Sequence, residues 1–182
     1  MQFPEPERAI FLDRDGTVIE DTGYIANPDH IRPLPGALAT LARLAQDGWK
    51  LMIISNQSGV GRGLISAQEM DAVHQRFLQL MADNGAPVTA SYFCVHAPEA
   101  GCACRKPSPA LIRAAVAEHG LTSPNYWLIG DRESDVLCGR NAGCRTIWLR
   151  NDFFPVAPGL ADFTAARWEE IPQLLASGHR PL

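Results

Sequence analysis

No stretch of this sequence approaches the roughly 18 consecutive apolar residues that a membrane-spanning helix needs, so no membrane partner is expected. There is no excess of positive charge either. The formal net charge is −4, which argues against nucleic acid or a membrane surface held by bulk charge. The N-terminal segment MQFPEPERAIFLD has two early acids and lacks the apolar core of a signal peptide. A cytoplasmic, reducing location is therefore the expectation, and structural disulfides are rare there. Repeats and low-complexity segments are also missing. With 182 residues, 46% of them apolar and 20% charged, the chain reads as one globular domain over 1–182. It is expected to be a monomer.

What the sequence does contain is an alternation of short apolar runs with helical patterns. AIFL (9–12), KLMIIS (50–55), SYFCV (91–95), YWLIG (126–130) and RTIWL (145–149) do not alternate apolar with polar, so they read as strands buried on both faces. Helices are expected over 36–47, 67–84, 109–119 and about 133–142. The second of these opens on a capping box, Ser66 with Glu69, and carries the stripe Met70, Val73, Phe77 and Leu80. The third has Ser108 at its N-cap, Pro109 in its first turn and Gly120 at its end. Strands alternating with helices imply a parallel sheet with right-handed crossovers. From about residue 151 a C-terminal extension adds a short strand near ADFTA and a helix near 168–176.

Ligands of open α/β sheets bind beyond the carboxyl ends of the strands. The segments at those ends here are DRDGT (13–17), SNQSGVGRG (55–63), a Cys/His cluster with RKP behind it, and GDRESD (130–135). Asp13 and Asp15 are two apart, so an extended segment sends both side chains to one side. An isolated D-x-D is commonly an Asx turn. Two like charges repel, however, unless a cation or a shared proton relieves them. Asp131 could complete an oxygen-rich Mg²⁺ site with Asp13, and Asp135 could support it. Lys106 precedes a helix N-terminus, where the dipole disfavours a cation and a bound phosphate would reverse the penalty.

CVHAPEAGCACRKP (94–107) places Cys94, His96, Cys102 and Cys104 directly before Arg105 and Lys106. A Cys102–Cys104 disulfide would be strained. A tetrahedral Zn²⁺ site suits four such ligands, although C-x-H and C-x-C are tighter than the usual spacing. Spacing alone leaves zinc and inert thiols both open. Cys138 and Cys144 lie in helix and strand patterns and read as buried apolar thiols.

FLDRDGT (11–17), IISN (53–56), Lys106 before a helix and GDRESD (130–135) together resemble the motifs of the haloacid dehalogenase superfamily of phosphatases, over roughly residues 8 to 150. The resemblance implies a Rossmann-like three-layer α/β/α sandwich with strand order 3-2-1-4-5. It implies Asp13 as nucleophile forming an aspartyl-phosphate, Asp15 as general acid and base, and Ser55 and Lys106 on the transferring phosphoryl oxygens. Mg²⁺ would be held by Asp13, Asp131 and the backbone carbonyl of Asp15.

Within the superfamily, DRDGTVIEDTGY, NQSGVGRG and CVHAPEAGCACRKP are similar to the D-glycero-D-manno-heptose 1,7-bisphosphate phosphatases. That similarity implies Zn²⁺ on Cys94, His96, Cys102 and Cys104. It implies a small sugar phosphate as substrate, met by Asp21, Thr22, Gly23, Tyr24, Asn56, Gln57, Ser58, Arg62, Arg105 and Arg132. The reaction would then belong to the synthesis of a lipopolysaccharide precursor. The histidinol-phosphate phosphatases share a similar Cys/His loop and supply the alternative substrate. The segments from Asp13 to Gly36 and from Val95 to Ser108 are too short for a cap domain, so short loops must set specificity.

Overall fold

The computed structural model describes residues 8–122 and 126–178. Most of the N-terminal segment read for a signal sequence lies outside them. Six strands form one parallel sheet: β1 (Arg8–Leu12), β2 (Trp49–Asn56), β3 (Val88–Cys94), β4 (Tyr126–Gly130), β5 (Arg145–Leu149) and β6 (Phe163–Ala165). Their order is β3-β2-β1-β4-β5-β6. The implied order 3-2-1-4-5 is present, with β6 added outside β5. No cap domain occurs among the described residues.

The strand sequences explain the layering. Successive side chains of a strand point to opposite faces. Ile10 and Leu12 of β1 therefore join one apolar cluster, while Ala9 and Phe11 join another. Helices α1 (Ala37–Gln46), α3 (Ala67–Asp83) and α6 (Ile171–Ser177) cover the first face through Leu41, Phe77 and Leu175. Helices α4 (Ala110–Glu118) and α5 (Glu133–Ala142) cover the second through Ile112 and Cys138. A single-turn helix, α2 (Ser58–Gly61), follows β2. Because both faces are covered, the central strands need continuous apolar runs rather than alternation. Cys138 and Cys144 are buried, as expected.

Three expectations need correcting. β3 is an edge strand, and most of its residues are only partly buried rather than enclosed on both faces. The Ser66–Glu69 capping box of α3 is present, but the buried residues are Val73, His74, Phe77 and Met81. Met70 and Leu80 sit at the margin. His74 takes a core position because its ring meets the Phe93 ring edge-on at 4.7 Å. Burial, helped by Arg14, lowers it to about 4, so it stays neutral. Third, α4 begins one residue later than expected, with Pro109 at the cap; Ser108 Oγ accepts from the Ala110 amide at 3.3 Å.

The C-terminal extension has the expected short strand and helix, β6 and α6. It shares the main core: Ala165, Trp168, Ile171 and Leu175 belong to the same cluster as Ile10 and Ile129. Trp168 is buried, and its Nε1 donates to the Thr17 carbonyl at 2.9 Å. The extension is thus tied to the loop after β1.

Candidate active site

The chain leaves β1 and β4 toward opposite sides of the sheet, which opens a crevice between their carboxyl ends. Asp13 and Asp131 meet there. The Asp13 amide still donates to the Ile129 carbonyl at 3.1 Å, so its position is fixed by the ladder. Gly16 has φ +84°, and a Cβ on it would lie 2.5 Å from Asp131 Oδ2. Glycine is needed for the turn and for the approach of Asp131. Thr17 Oγ1 donates to Asp131 Oδ1 at 3.3 Å.

Lys106 lies at the centre of this crevice and is almost fully buried. Its Nζ is 2.7 Å from Asp13 Oδ1 and 2.7 Å from Asp135 Oδ1, and donates to the Ile54 carbonyl at 2.8 Å. Burial works against the ammonium, yet the Asp13 and Asp135 carboxylates outweigh it and hold Lys106 above its ordinary value. The helix-dipole reading of Lys106 is therefore superseded. α4 starts only at Ala110, and the charge is balanced by two carboxylates. Asn56 fixes the backbone beneath it: Nδ2 donates to the Lys106 carbonyl at 3.3 Å, and the Lys106 amide donates to Oδ1 at 3.1 Å.

Asp13, Asp131 and Asp135 offer carboxylate oxygens within 4.8 Å of one another, all buried. Burial first, then Asp13 and Asp135, push Asp131 up to about 8. One lysine leaves such a cluster short of positive charge, so its donor set fits a hard divalent cation.

Asp15 stands beside Asp13. Its carboxylate accepts from Arg14 Nε at 3.1 Å, Arg14 Nη2 at 3.3 Å and Gln57 Nε2 at 2.6 Å. Burial raises the Asp15 carboxyl above its ordinary range; Arg14 opposes this and Asp13 adds to it. Gln57 Nε2 also donates to Ser55 Oγ at 2.9 Å, which leaves the Ser55 O–H to point at a ligand.

Asp13, Asp15, Ser55, Gln57, Lys106 and Asp135 line a cavity of about 310 Å³, shared with Asp21, Gly23, Tyr24, Asn56, Ser58, Arg105, Arg132 and Ser134. Arg105 Nη1 is buried without a hydrogen-bond partner. Arg132 pairs with Asp21 at 2.5 Å. Two expected substrate contacts lie elsewhere. Thr22 lines a neighbouring, more apolar cavity of about 810 Å³, which also touches Asp131. Arg62 lines neither cavity; it reaches out to Glu99 at 3.5 Å. Gly61 before it sits so close to the Val95–Ala97 backbone that a Cβ there would clash with the Ala97 nitrogen.

Cys94, His96, Cys102 and Cys104 also converge, within 4.8 Å. Cys94 Sγ lies 3.5 Å from Cys102 Sγ, and Cys104 Sγ lies 3.6 Å from Cys102 Sγ and 3.3 Å from His96 Nδ1. Sulfurs this far apart are not bonded, and all are free thiols. A tetrahedron with metal–sulfur bonds of about 2.3 Å has edges of about 3.8 Å, close to these separations. The donor set and its geometry fit Zn²⁺.

Sequence reasoning missed Arg14, Ser134, Trp148 and Asn151. Trp148 Nε1 and Asn151 Nδ2 each donate to the Asp131 carbonyl at 3.1 Å. Arg14 was legible as the charged residue inside D-x-D. The other three had no signal, because their partners are set by the fold.

A family model for HAD-hydrolase-like proteins matches residues 103–167. The D-glycero-beta-D-manno-heptose-1,7-bisphosphate 7-phosphatase of Helicobacter pylori is 41% identical over 74% of this chain and 79% of its own length. That of Pseudomonas aeruginosa is 33% identical over 78% and 80%. The structure of D,D-heptose 1,7-bisphosphate phosphatase from Bordetella bronchiseptica, complexed with magnesium and phosphate, superposes with a TM-score of 0.77 at 31% identity, over 92% of this chain and 99% of that one. Relatives this similar over most of both chains, on a sheet with this strand order, place the protein in the haloacid dehalogenase superfamily, as a member of the heptose-1,7-bisphosphate 7-phosphatase family.

Proposed function

We propose that the protein is a Mg²⁺-dependent phosphatase that removes the 7-phosphate from D-glycero-D-manno-heptose 1,7-bisphosphate. The observation that carries this reading is the buried Asp13–Lys106–Asp135 arrangement, with Lys106 Nζ 2.7 Å from each carboxylate and Asp131 beside them. Nucleophile, phosphate-binding cation and metal-binding oxygens stand at one point.

Asp13 attacks phosphorus through a carboxylate oxygen. The P–O bond to C7 breaks as the Asp13–P bond forms. Asp15, whose burial favours its protonated form, gives its proton to the departing alkoxide. It then takes a proton from the water that hydrolyses the aspartyl-phosphate, releasing inorganic phosphate and Asp13. Lys106 and the Ser55 hydroxyl hold the phosphoryl oxygens as charge shifts among them. Asp13, Asp131 and the Asp15 backbone carbonyl would hold Mg²⁺, which neutralises repulsion between the nucleophile and the phosphate. Arg105, with its unpartnered Nη1, suits the second phosphate of the sugar. Cys94, His96, Cys102 and Cys104 would hold Zn²⁺ in a structural role, two residues ahead of Lys106.

A kcat/KM panel tests the substrate. Heptose 1,7-bisphosphate is expected to exceed histidinol phosphate and simple phosphomonoesters. Equal values for heptose bisphosphate and histidinol phosphate would sink this assignment while leaving the phosphatase chemistry standing.

A further inference from the structure

Asn151 follows β5 and engages two structures at once. Its Nδ2 donates to the Asp131 carbonyl at 3.1 Å and to Asp131 Oδ2 at 3.3 Å. Its Oδ1 accepts from the amides of Phe153 at 2.9 Å and Phe154 at 2.8 Å, which closes an Asx turn. That turn lays the Phe154 ring against Arg132, with the guanidinium carbon 3.9 Å from the ring centroid. Arg132 in turn pairs with Asp21, which lines both cavities.

Asp131 is therefore held on both oxygens, by Thr17 Oγ1 on Oδ1 and by Asn151 on Oδ2. Without these two contacts the Asp131 carboxyl group would be free to turn about its own side-chain bonds. Holding it in place before a cation arrives removes an ordering cost from binding. The same amide sets the turn that lays Phe154, which lines the 810 Å³ cavity, against Arg132, which lines the 310 Å³ one.

We infer that Asn151 is a positioning residue: it presets Asp131 for the divalent cation and, through Phe154, sets Arg132 at the substrate cavity. The inference rests on the Mg²⁺ reading above. It concerns a side chain outside the motifs at the ends of β1, β2 and β4.

The test is calorimetric titration of Mg²⁺ into the full-length protein dialysed free of Mg²⁺, beside steady-state kinetics on the sugar bisphosphate. Asn151→Ala is expected to raise the Mg²⁺ Kd by about tenfold. Asn151→Ser keeps a hydroxyl acceptor for the turn but cannot reach Asp131 with an amide, so it is expected to weaken Mg²⁺ similarly with less effect on Tm. It stands in if the alanine variant does not fold. Phe154→Ala is expected to leave the Mg²⁺ Kd unchanged and to raise KM with kcat retained. Wild-type Mg²⁺ affinity in both Asn151 variants overturns the inference. So does a loss in Phe154→Ala as large as in Asn151→Ala, since Phe154 and the Arg132 it holds 4.0 Å from Asp131 Oδ2, rather than the amide of Asn151, would then be responsible. Should the wild-type protein take up no Mg²⁺, the metal reading falls and this inference with it; binding by the wild type and the Asn151 variants alike removes this inference alone.

Discussion

Asp13, Asp131 and Asp135 are buried and gather where the two central strands end, whereas Cys94, His96, Cys102 and Cys104 follow the edge strand and only Cys94 is buried. The first cluster is held by what surrounds it. The β ladder fixes Asp13, Thr17 and Asn151 fix Asp131, and Lys106 bridges Asp13 to Asp135. The second lies outside both apolar clusters and is held by contacts among its own side chains, by the Gln57 and Gly61 amides on the Cys94 and Val95 carbonyls, and by Ser108 Oγ on the Ala103 carbonyl. Donor type follows the same division. Hard oxygens at strand ends suit a cation exchanged with substrate, and soft sulfurs in a short loop suit one that stays. A metal at the strand ends would serve chemistry, and a metal in the loop would replace missing hydrophobic packing.

This contrast can be broken by experiment. The largest effect is expected from Asp13→Asn: turnover falls by at least about 10³-fold while the circular dichroism spectrum and Zn content stay as in the wild type. Residual activity near wild type would remove Asp13 from the nucleophile's role. Next comes Lys106→Met. It leaves two carboxylates unpaired in a buried site, so chemical denaturation should show a loss of about 3–5 kcal/mol, with kcat lower by about 10²-fold or more. A stable, active Lys106→Met protein would mean that the strand-end cluster does not depend on its lysine.

Stripping zinc, or Cys104→Ser, should lower Tm and raise hydrogen exchange over 94–106 while Mg²⁺ binding persists. Metal analysis of protein purified without chelator should find one Zn per chain; a zinc-free, fully active protein would end the comparison. The carboxylate cluster should also respond to pH. Folded Asp131 holds its proton up to about 8, against 3.8 for an ordinary aspartate. The folded state therefore binds more protons than the unfolded one between these values, and the Mg²⁺-free protein loses stability as pH rises through that window. The rise in Tm on adding Mg²⁺ should be larger near the upper end of that window than near the lower. A rise independent of pH would show that the ion is not displacing that proton. The smallest effect is expected from Arg62→Ala, since its contact with Glu99 is an exposed ion pair worth about 0–1 kcal/mol. An unchanged KM would place Arg62 outside the site, whereas a marked rise would return it to the substrate.

How far the sequence reveals this depends on whether a feature is local. The continuous apolar runs of β1, β2, β4 and β5 show both their positions and the enclosure of the central sheet, and residues directly after a strand end share an edge once the sheet is parallel. Asp13, Asp15 and Asp131 are legible for that reason, Ser55 because it closes the apolar run of β2, and Lys106 from its place before a helix. The edge character of β3 is not, because SYFCV looks as apolar as a central run. Helical periodicity likewise cannot tell that His74 finds an aromatic neighbour in Phe93 and takes a core place. The pairing of Lys106 with Asp135, and the hold of Asn151 on Asp131, join residues that are distant in the chain through chemistry any surface loop could carry. The sequence pointed to a phosphate beside Lys106 from the helix dipole, but the lysine's balance comes from two carboxylates on other elements.

The hydrogen bond from Trp168 to the Thr17 carbonyl bears on where this protein may be cut. Every recognisable motif lies before residue 136, and a fragment trimmed to them would look complete on paper. Yet the loop carrying Asp15, Gly16 and Thr17 leans on an indole that enters the chain 151 positions later. Anyone building a minimal enzyme, a fusion joint or a permuted chain should treat α6 as its far boundary and place the junction beyond Leu175.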